Sequence, residues 1–274
     1  MRIWKKKALW YILYGVVITL VFLFVLFPAE AVKSRIETAA AARNLALQAE
    51  ALKPSFPLGI QFQNLSLSLA GQRETFFKGE TLDLQANILS LVQKHPSARF
   101  SGKAYGGRFD GQMAFFSFQK IYPPAAASFN FQSIDLGKYP LIRQELGKPV
   151  TGKIGGTIAY GNDYETISGI NGSLFITLTK GSYPLAESFL GSGRIEIDRG
   201  EVRAQLKNGV LKLEKMDMFG PQINCFLKGN ITLAQDWKNS QLNLTGVVEI
   251  LSKSKVKTNI TINGTLANPI SRYI

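Results

Sequence analysis

The chain has one cysteine, Cys225, and one histidine, His95, among its 274 residues. A lone cysteine excludes an intramolecular disulfide, so apolar burial must hold the fold. A lone histidine argues against zinc, whose sites draw on several His or Cys ligands. His95 precedes Pro96 at a helix end and reads as a loop residue. Cys225 stands between Ile223 and Leu227 and reads as a small buried hydrophobe. As a nucleophile it would need a base beside it, and the sequence offers none. Acidic residues are absent from Met1 to Phe27, and basic runs are absent beyond Lys7. The interleaved aromatic and basic motifs of nucleic-acid binders are missing too, so nucleic acid is not an expected partner. "GKAYGGRFDG" and "GSGRIEI" are rich in glycine but lack Gly-Lys-Ser/Thr ahead of a helix. They are not phosphate loops, and no cofactor is expected.

One long segment lacks charge altogether. Ala8 to Phe27, "ALWYILYGVVITLVFLFVLF", is a block of the length that crosses a hydrocarbon core as a helix. Ala8, Leu9, Trp10, Gly15, Val16, Leu20, Phe24 and Phe27 are expected anchor residues within it. Arg2, Lys5, Lys6 and Lys7 precede it and set the expected topology, with the N-terminus cytoplasmic. Trp4, Trp10, Tyr11 and Tyr14 fit an interfacial aromatic belt. The alternative is a cleaved signal peptide, with Ala29-Glu30-Ala31 as a small-x-small site, but such cores are shorter. The formal net charge is +13, and four of those charges precede the block. The spread-out remainder suits anionic headgroups or acidic partners.

Beyond the block, alternation dominates. Ala29 to Ala42 reads as a short alanine-rich helix, and "NLALQAEAL" leans towards a strand. "KPSFPLG" reads as a connection. "GIQFQNLSLSL" changes phase at Gln63-Asn64, which predicts a bulge or a kink. Arg199-Gly200 and Asn208-Gly209 read as hairpin turns. "NILSLVQK" and "YPLIRQELG" read as short helices. "INCFLKGNITL", "LNLTGVVEI" and "TNITINGTL" are apolar on one face and polar on the other, the pattern of antiparallel sheet. The last of these is expected to stop at Asn268-Pro269. Gly156, Gly172, Gly229 and Gly264 fall on the apolar face, where glycine marks a bend or a close approach.

Carboxylates two apart, Asp163/Glu165 and Glu196/Asp198, would share a strand face and read as surface charge. The expected organisation is a basic flank (1–7), a transmembrane anchor (8–27), a membrane-proximal helix and connection (28–53), and a β-rich domain (54–274). The expected fold class is mainly β: one N-terminal transmembrane helix, then a large curved antiparallel sheet, a groove or half-barrel, with a few short helices.

The order of these features resembles the type II secretion system protein N family, also called general secretion pathway protein N. The residues that carry it are the lone anchor, the short helix, "PSFPLGIQFQNLSLSL", "LVQKHPSARFSGKAYGGRFDGQM" and the closing "INGTLANP". The chain is also similar to the wider AsmA-like superfamily through Gly264, Thr265, Leu266 and Pro269. The resemblance implies a bacterial inner-membrane protein with a periplasmic domain and no catalytic residue. It would act as an accessory of a secretion machine, through contacts with other secretion-system components. The alternative is a groove that binds or transfers phospholipid, with Phe115, Phe129, Phe131, Cys225, Leu227, Ile260 and Ile262 as candidate lining.

Overall fold

The computed structural model describes residues 24–71, 75–92, 96–117, 124–139, 148–162, 169–189, 192–251 and 255–273. It also describes residue 142 and residues 10, 11, 14, 15, 17–19, 21 and 22. One helix of full length stands in this set, α1 (Ala29–Ala41). Asn44, at φ 62°, turns the chain out of it into the first strand. A left-handed residue just past a helix end is where asparagine substitutes for glycine.

Fifteen strands follow: β1 (Leu45–Gln48), β2 (Ala51–Ser55), β3 (Gly59–Leu69), β4 (Thr75–Ala86), β5 (Ser97–Ala104), β6 (Gly107–Ala114), β7 (Ala126–Asp135) and β8 (Thr151–Asn162). The second half holds β9 (Ile170–Phe189), β10 (Ser192–Lys207), β11 (Val210–Phe219), β12 (Ile223–Thr232), β13 (Gln241–Leu251), β14 (Lys255–Thr265) and β15 (Pro269–Tyr273). All belong to one antiparallel sheet, and from β3 onward each strand pairs with the next. β1 and β2 share one edge: β2 pairs with β3 up to Gln63, and β1 pairs with it from Ser66. Between those stretches Asn64 has φ 48°, so the expected phase change is a kink in one continuous strand. The sheet thus begins at Leu45, inside the segment 28–53 set aside as helix and connection.

Several expected turns are corrected. Arg199-Gly200 is not a hairpin turn. Gly200 lies inside β10, opposite Leu178 on one side and Met218 on the other. Pairing on both flanks overrides the local turn composition there. Asn208-Gly209 does close a hairpin, with φ 52° and 73° and Lys207 opposite Val210. The phosphate-loop look-alike is a second such hairpin, with Tyr105 and Gly106 at φ 53° and 74°. Positive φ at both central residues is the turn whose twist matches the flanking strands. The strand expected to stop at Asn268-Pro269 does stop there, β14 ending at Thr265, but the sheet continues: Pro269 opens β15, an edge strand, where a missing N–H costs no ladder bond. Lys53, Pro54 and Ser55 of the expected connection belong to β2, leaving Phe56, Pro57 and Leu58 as the turn. The first short helix after β4 is a 3-10 turn, Ile88–Val92. Of the second, residue 142 and Tyr139 alone are described.

Alternation gives the sheet two unlike faces. Along β13, Leu242 and Leu244 are buried while Gln241, Asn243 and Thr245 are exposed. Opposite them stand Ile231 and Gly229 on β12, and Gly264 and Ile262 on β14, so the apolar side is continuous across strands. Glycines sit between large side chains in this cross-strand order. Gly246 lies between Leu227 and Ile260, and a Cβ there would meet Leu227 Cδ2 at 2.7 Å and the Phe226 carbonyl oxygen at 1.9 Å. Gly161 has open space around it, with no heavy atom within 4 Å of an added Cβ. Gly246→Ala is therefore expected to cost about 1–3 kcal/mol by overpacking. Gly161→Ala should leave stability unchanged or raise it, because alanine restricts the unfolded chain. Thermal melts of the two variants, followed by circular dichroism, check the contrast.

Candidate functional site

Three apolar clusters tile one face of the sheet. The first joins Leu52, Phe62 and Leu65 to Val32 and Ile36 of α1. The second holds Phe109 and Phe131, with Phe77, Phe100 and Phe129 packed against them. The third runs from β9 to β14 through Leu213, Leu227, Leu242, Leu244 and Ile260. Phe77 and Leu82 belong to both the first and the second. α1 packs against β1 and β2. Among the described residues no second sheet or full-length helix covers the face from β5 to β14.

The aromatic part shows how side chains bury one another without a second layer. Phe100, Gly111 and Phe129 stand opposite one another on β5, β6 and β7. Strands two apart are separated by about 9.6 Å of sheet. The two rings nevertheless stack with centroids 5.9 Å apart. They meet over Gly111, where a Cβ would lie 2.4 Å from the Phe100 ring. Phe77 and Phe109, also two strands apart, have centroids 6.0 Å apart in an edge-on contact. Such pairs add to area burial by quadrupole geometry.

The result is an extended surface. The chain exposes 18368 Å². A compact monomer of 30.2 kDa would expose about 11,700 Å². A sheet one layer thick, with no second sheet on its apolar face among the described residues, contributes to the difference.

Of the expected lining residues, Phe131, Leu227 and Ile260 are buried, and Phe129, Cys225 and Ile262 are half-buried on this face. Phe115 lies apart from them, in a cleft of about 690 Å³ at one end of the strands. Phe24 and Phe27 form one wall of that cleft, the Phe56-Pro57-Leu58 turn another, and Leu84, Ala98 and Met113 the floor. Among the described residues no charged side chain lines it. Its polar residues, Ser55 and Gln85, turn to each other at 3.3 Å, and Ser55 Oγ donates to Asp83 Oδ2 at 2.6 Å. No short stretch of sequence signals the cleft, because its lining comes from five separate segments.

The other expected residues fall as follows. Arg2, Lys5, Lys6, Lys7, Ala8, Leu9, Val16 and Leu20 lie outside the described residues, as do His95, Asp163 and Glu165. Trp10, Gly15 and Phe24 occupy helical positions and are exposed. Among the described residues no helix is long and apolar enough to cross a membrane. Glu196 and Asp198 are exposed on β10. No group of three or more His, Cys, Asp or Glu among the described residues could hold a metal ion.

The opposite face is polar and paired. Glu201 Oε1 accepts from Lys215 Nζ at 3.2 Å and from Arg203 Nε at 2.8 Å. The Lys215 bond, then the nearby positive charges, hold the Glu201 carboxyl below its ordinary range. Arg199 lies 4.4 Å from the Phe219 ring centroid, and Arg203 lies 5.2 Å from that of Phe175. Exposed pairs of this kind contribute little stability; they keep this face wet.

Burial pushes the Cys225 thiol up from its ordinary value. Alkylation proceeds through the thiolate. Iodoacetamide should therefore label Cys225 more slowly than a free thiol at pH 8, with the rate still climbing above the usual thiol range. A rate equal to that of glutathione would mean the side chain is open to water.

The chain matches no protein-family model, no curated protein and no solved structure. The family resemblance therefore rests on the residues that carry it in the sequence.

Proposed function

We propose that the chain is a membrane-anchored protein of the bacterial envelope that holds phospholipid acyl chains along the apolar face of its sheet. One observation carries this reading: the apolar face runs unbroken from β1 to β14, and past α1 nothing described covers it. Its central side chains, Phe131, Leu227 and Ile260 among them, are buried against their neighbours, but flanking ones such as Phe129, Cys225 and Ile262 stay half-exposed, and a contiguous apolar surface left open along a sheet marks an interaction site for lipid or protein. Strand spacing near 4.8 Å makes the face about 60 Å long, enough for several acyl chains.

In this reading the sheet curls towards its apolar side and forms a groove. Ring contacts between strands two apart support a curl, and so do the glycines beneath them. The anchor is residues 8–27, held with the N-terminus cytoplasmic by Arg2, Lys5, Lys6 and Lys7. Its support is the uncharged sequence, together with helical positions whose apolar side chains find no protein to pack against; Val25 and Leu26 are 75% and 71% exposed. The main domain is then periplasmic. The mechanism is passive: apolar burial binds the chains, and the groove shields them from water.

A second reading follows the resemblance to protein N: an accessory component of the type II secretion system, acting by protein–protein contacts and not catalysis. The free edge strand β15, exposed at all five residues, favours it. Strand addition needs only unpaired backbone.

Native mass spectrometry of full-length protein extracted in mild detergent tests the first reading. The expected result is phospholipid at near-stoichiometric amounts. Ile176→Glu, at a half-buried position on β9 near the middle of the face, should abolish that lipid while the β-sheet circular dichroism signal is retained. Folded, lipid-free wild-type protein would overturn the proposal and leave the second reading.

A further inference from the structure

The two loops beside the C-terminal end of the apolar helical stretch carry side chains that a water-facing loop does not need. Phe56 and Leu58 lie in the β2–β3 turn, and Ile88 and Leu89 in the 3-10 turn after β4. Phe56 is 68% and Leu89 73% exposed. The two loops adjoin: Pro57, Ile88 and Leu89 line one shallow depression, which the exposed Arg99 borders. The first loop also walls the cleft together with Phe24 and Phe27. One apolar lip therefore runs from the helix end to the 3-10 turn. At the same end of the strands but far from the helix, the β10–β11 turn carries Lys207, Asn208 and Gly209 instead.

Part of the polar backbone of the lip finds its partners within the protein. The Ser90 hydroxyl donates to the Asn87 carbonyl at 2.7 Å and accepts from the Ser97 N–H at 2.8 Å. The Leu89 N–H reaches Asn87 Oδ1 at 3.2 Å. The Leu58 carbonyl accepts from the Ala86 N–H at 3.0 Å, and the Phe56 carbonyl from Gln85 Nε2 at 3.3 Å. Backbone that leaves water must find such partners. Two prolines, Pro54 and Pro57, bring no N–H at all.

We propose that the Phe56–Leu58 and Ile88–Leu89 turns insert into the bilayer surface beside the N-terminal helix and open the cleft to acyl chains of that same bilayer. The proposal rests on the anchored reading above. Its occupant is lipid because the lip is continuous with the helical stretch and the cleft it borders has no charged lining among the described residues. A headgroup-binding site would need charge there; an acyl-chain portal needs none.

The test uses full-length protein carrying Cys225→Ala, reconstituted in vesicles of phosphatidylethanolamine and phosphatidylglycerol. A polarity-sensitive fluorophore is attached at Leu89→Cys or, as a control on the far edge strand, at Ser271→Cys. Circular dichroism first confirms that each variant keeps its β signal. The expected result is blue-shifted emission at position 89, quenched by nitroxide-labelled lipid and shielded from iodide, with the reverse at 271. Equal iodide quenching at both positions, in protein that withstands an alkaline carbonate wash, would overturn the lip and leave the anchor standing. Shielding of position 89 from both quenchers would assign the lip to a second copy of the chain and overturn the proposal. Release of the protein by carbonate would overturn both readings.

Discussion

A single layer of sheet has no opposing wall on which to bury its apolar side chains. Here the side chains are buried sideways, against neighbours on strands one or two steps away. Space for that is made by leaving the intervening position empty: Gly111 under the Phe100 and Phe129 rings, Gly246 beside Leu227. Large, absent, large is the cross-strand order. It replaces the layer-on-layer interdigitation by which most sheets make a core. The extended surface follows from it, and so does the half-burial of side chains such as Cys225 and Ile262.

Much of this was legible because a period of two is the strongest signal a strand writes into sequence. The alternation in β12, β13 and β14 reads off directly. The phase slip at Asn64 marks the one strand that serves two partners, β1 and β2. The glycines on the apolar face pointed to close approach before any contact was known. Local composition misled where pairing on both flanks outweighs it, as at Gly200. At Asn268-Pro269 it marks the end of β14, while the short edge strand β15 beyond it leaves no alternation to read. The cleft left no trace in any short window. Phe24, Phe56 and Phe115 each look unremarkable in sequence and meet because the first six strands are pinned side by side. Phe115, an expected lining residue of the groove, contributes to the cleft and not to the central face.

The two faces divide the chemistry. Charges sit on one side, bridged by Glu201, Lys215 and Asp217 and backed by guanidinium groups over the Phe175 and Phe219 rings. On the other side Leu, Ile, Phe and glycine alternate across the strands, as Leu227, Gly246 and Ile260 do. A molecule built this way sorts its surroundings. Water and ions meet one side, and oily material is the complement of the other.

Strict next-neighbour pairing has a consequence for how such a molecule changes over generations. Nothing links β15 back to β1, so no closure condition fixes the strand count. Duplicating or deleting one hairpin would lengthen or shorten the sheet by about 9.6 Å and leave every other pairing intact. Reach is thus an adjustable quantity, set in hairpin-sized increments, and the distance to be spanned can select the length.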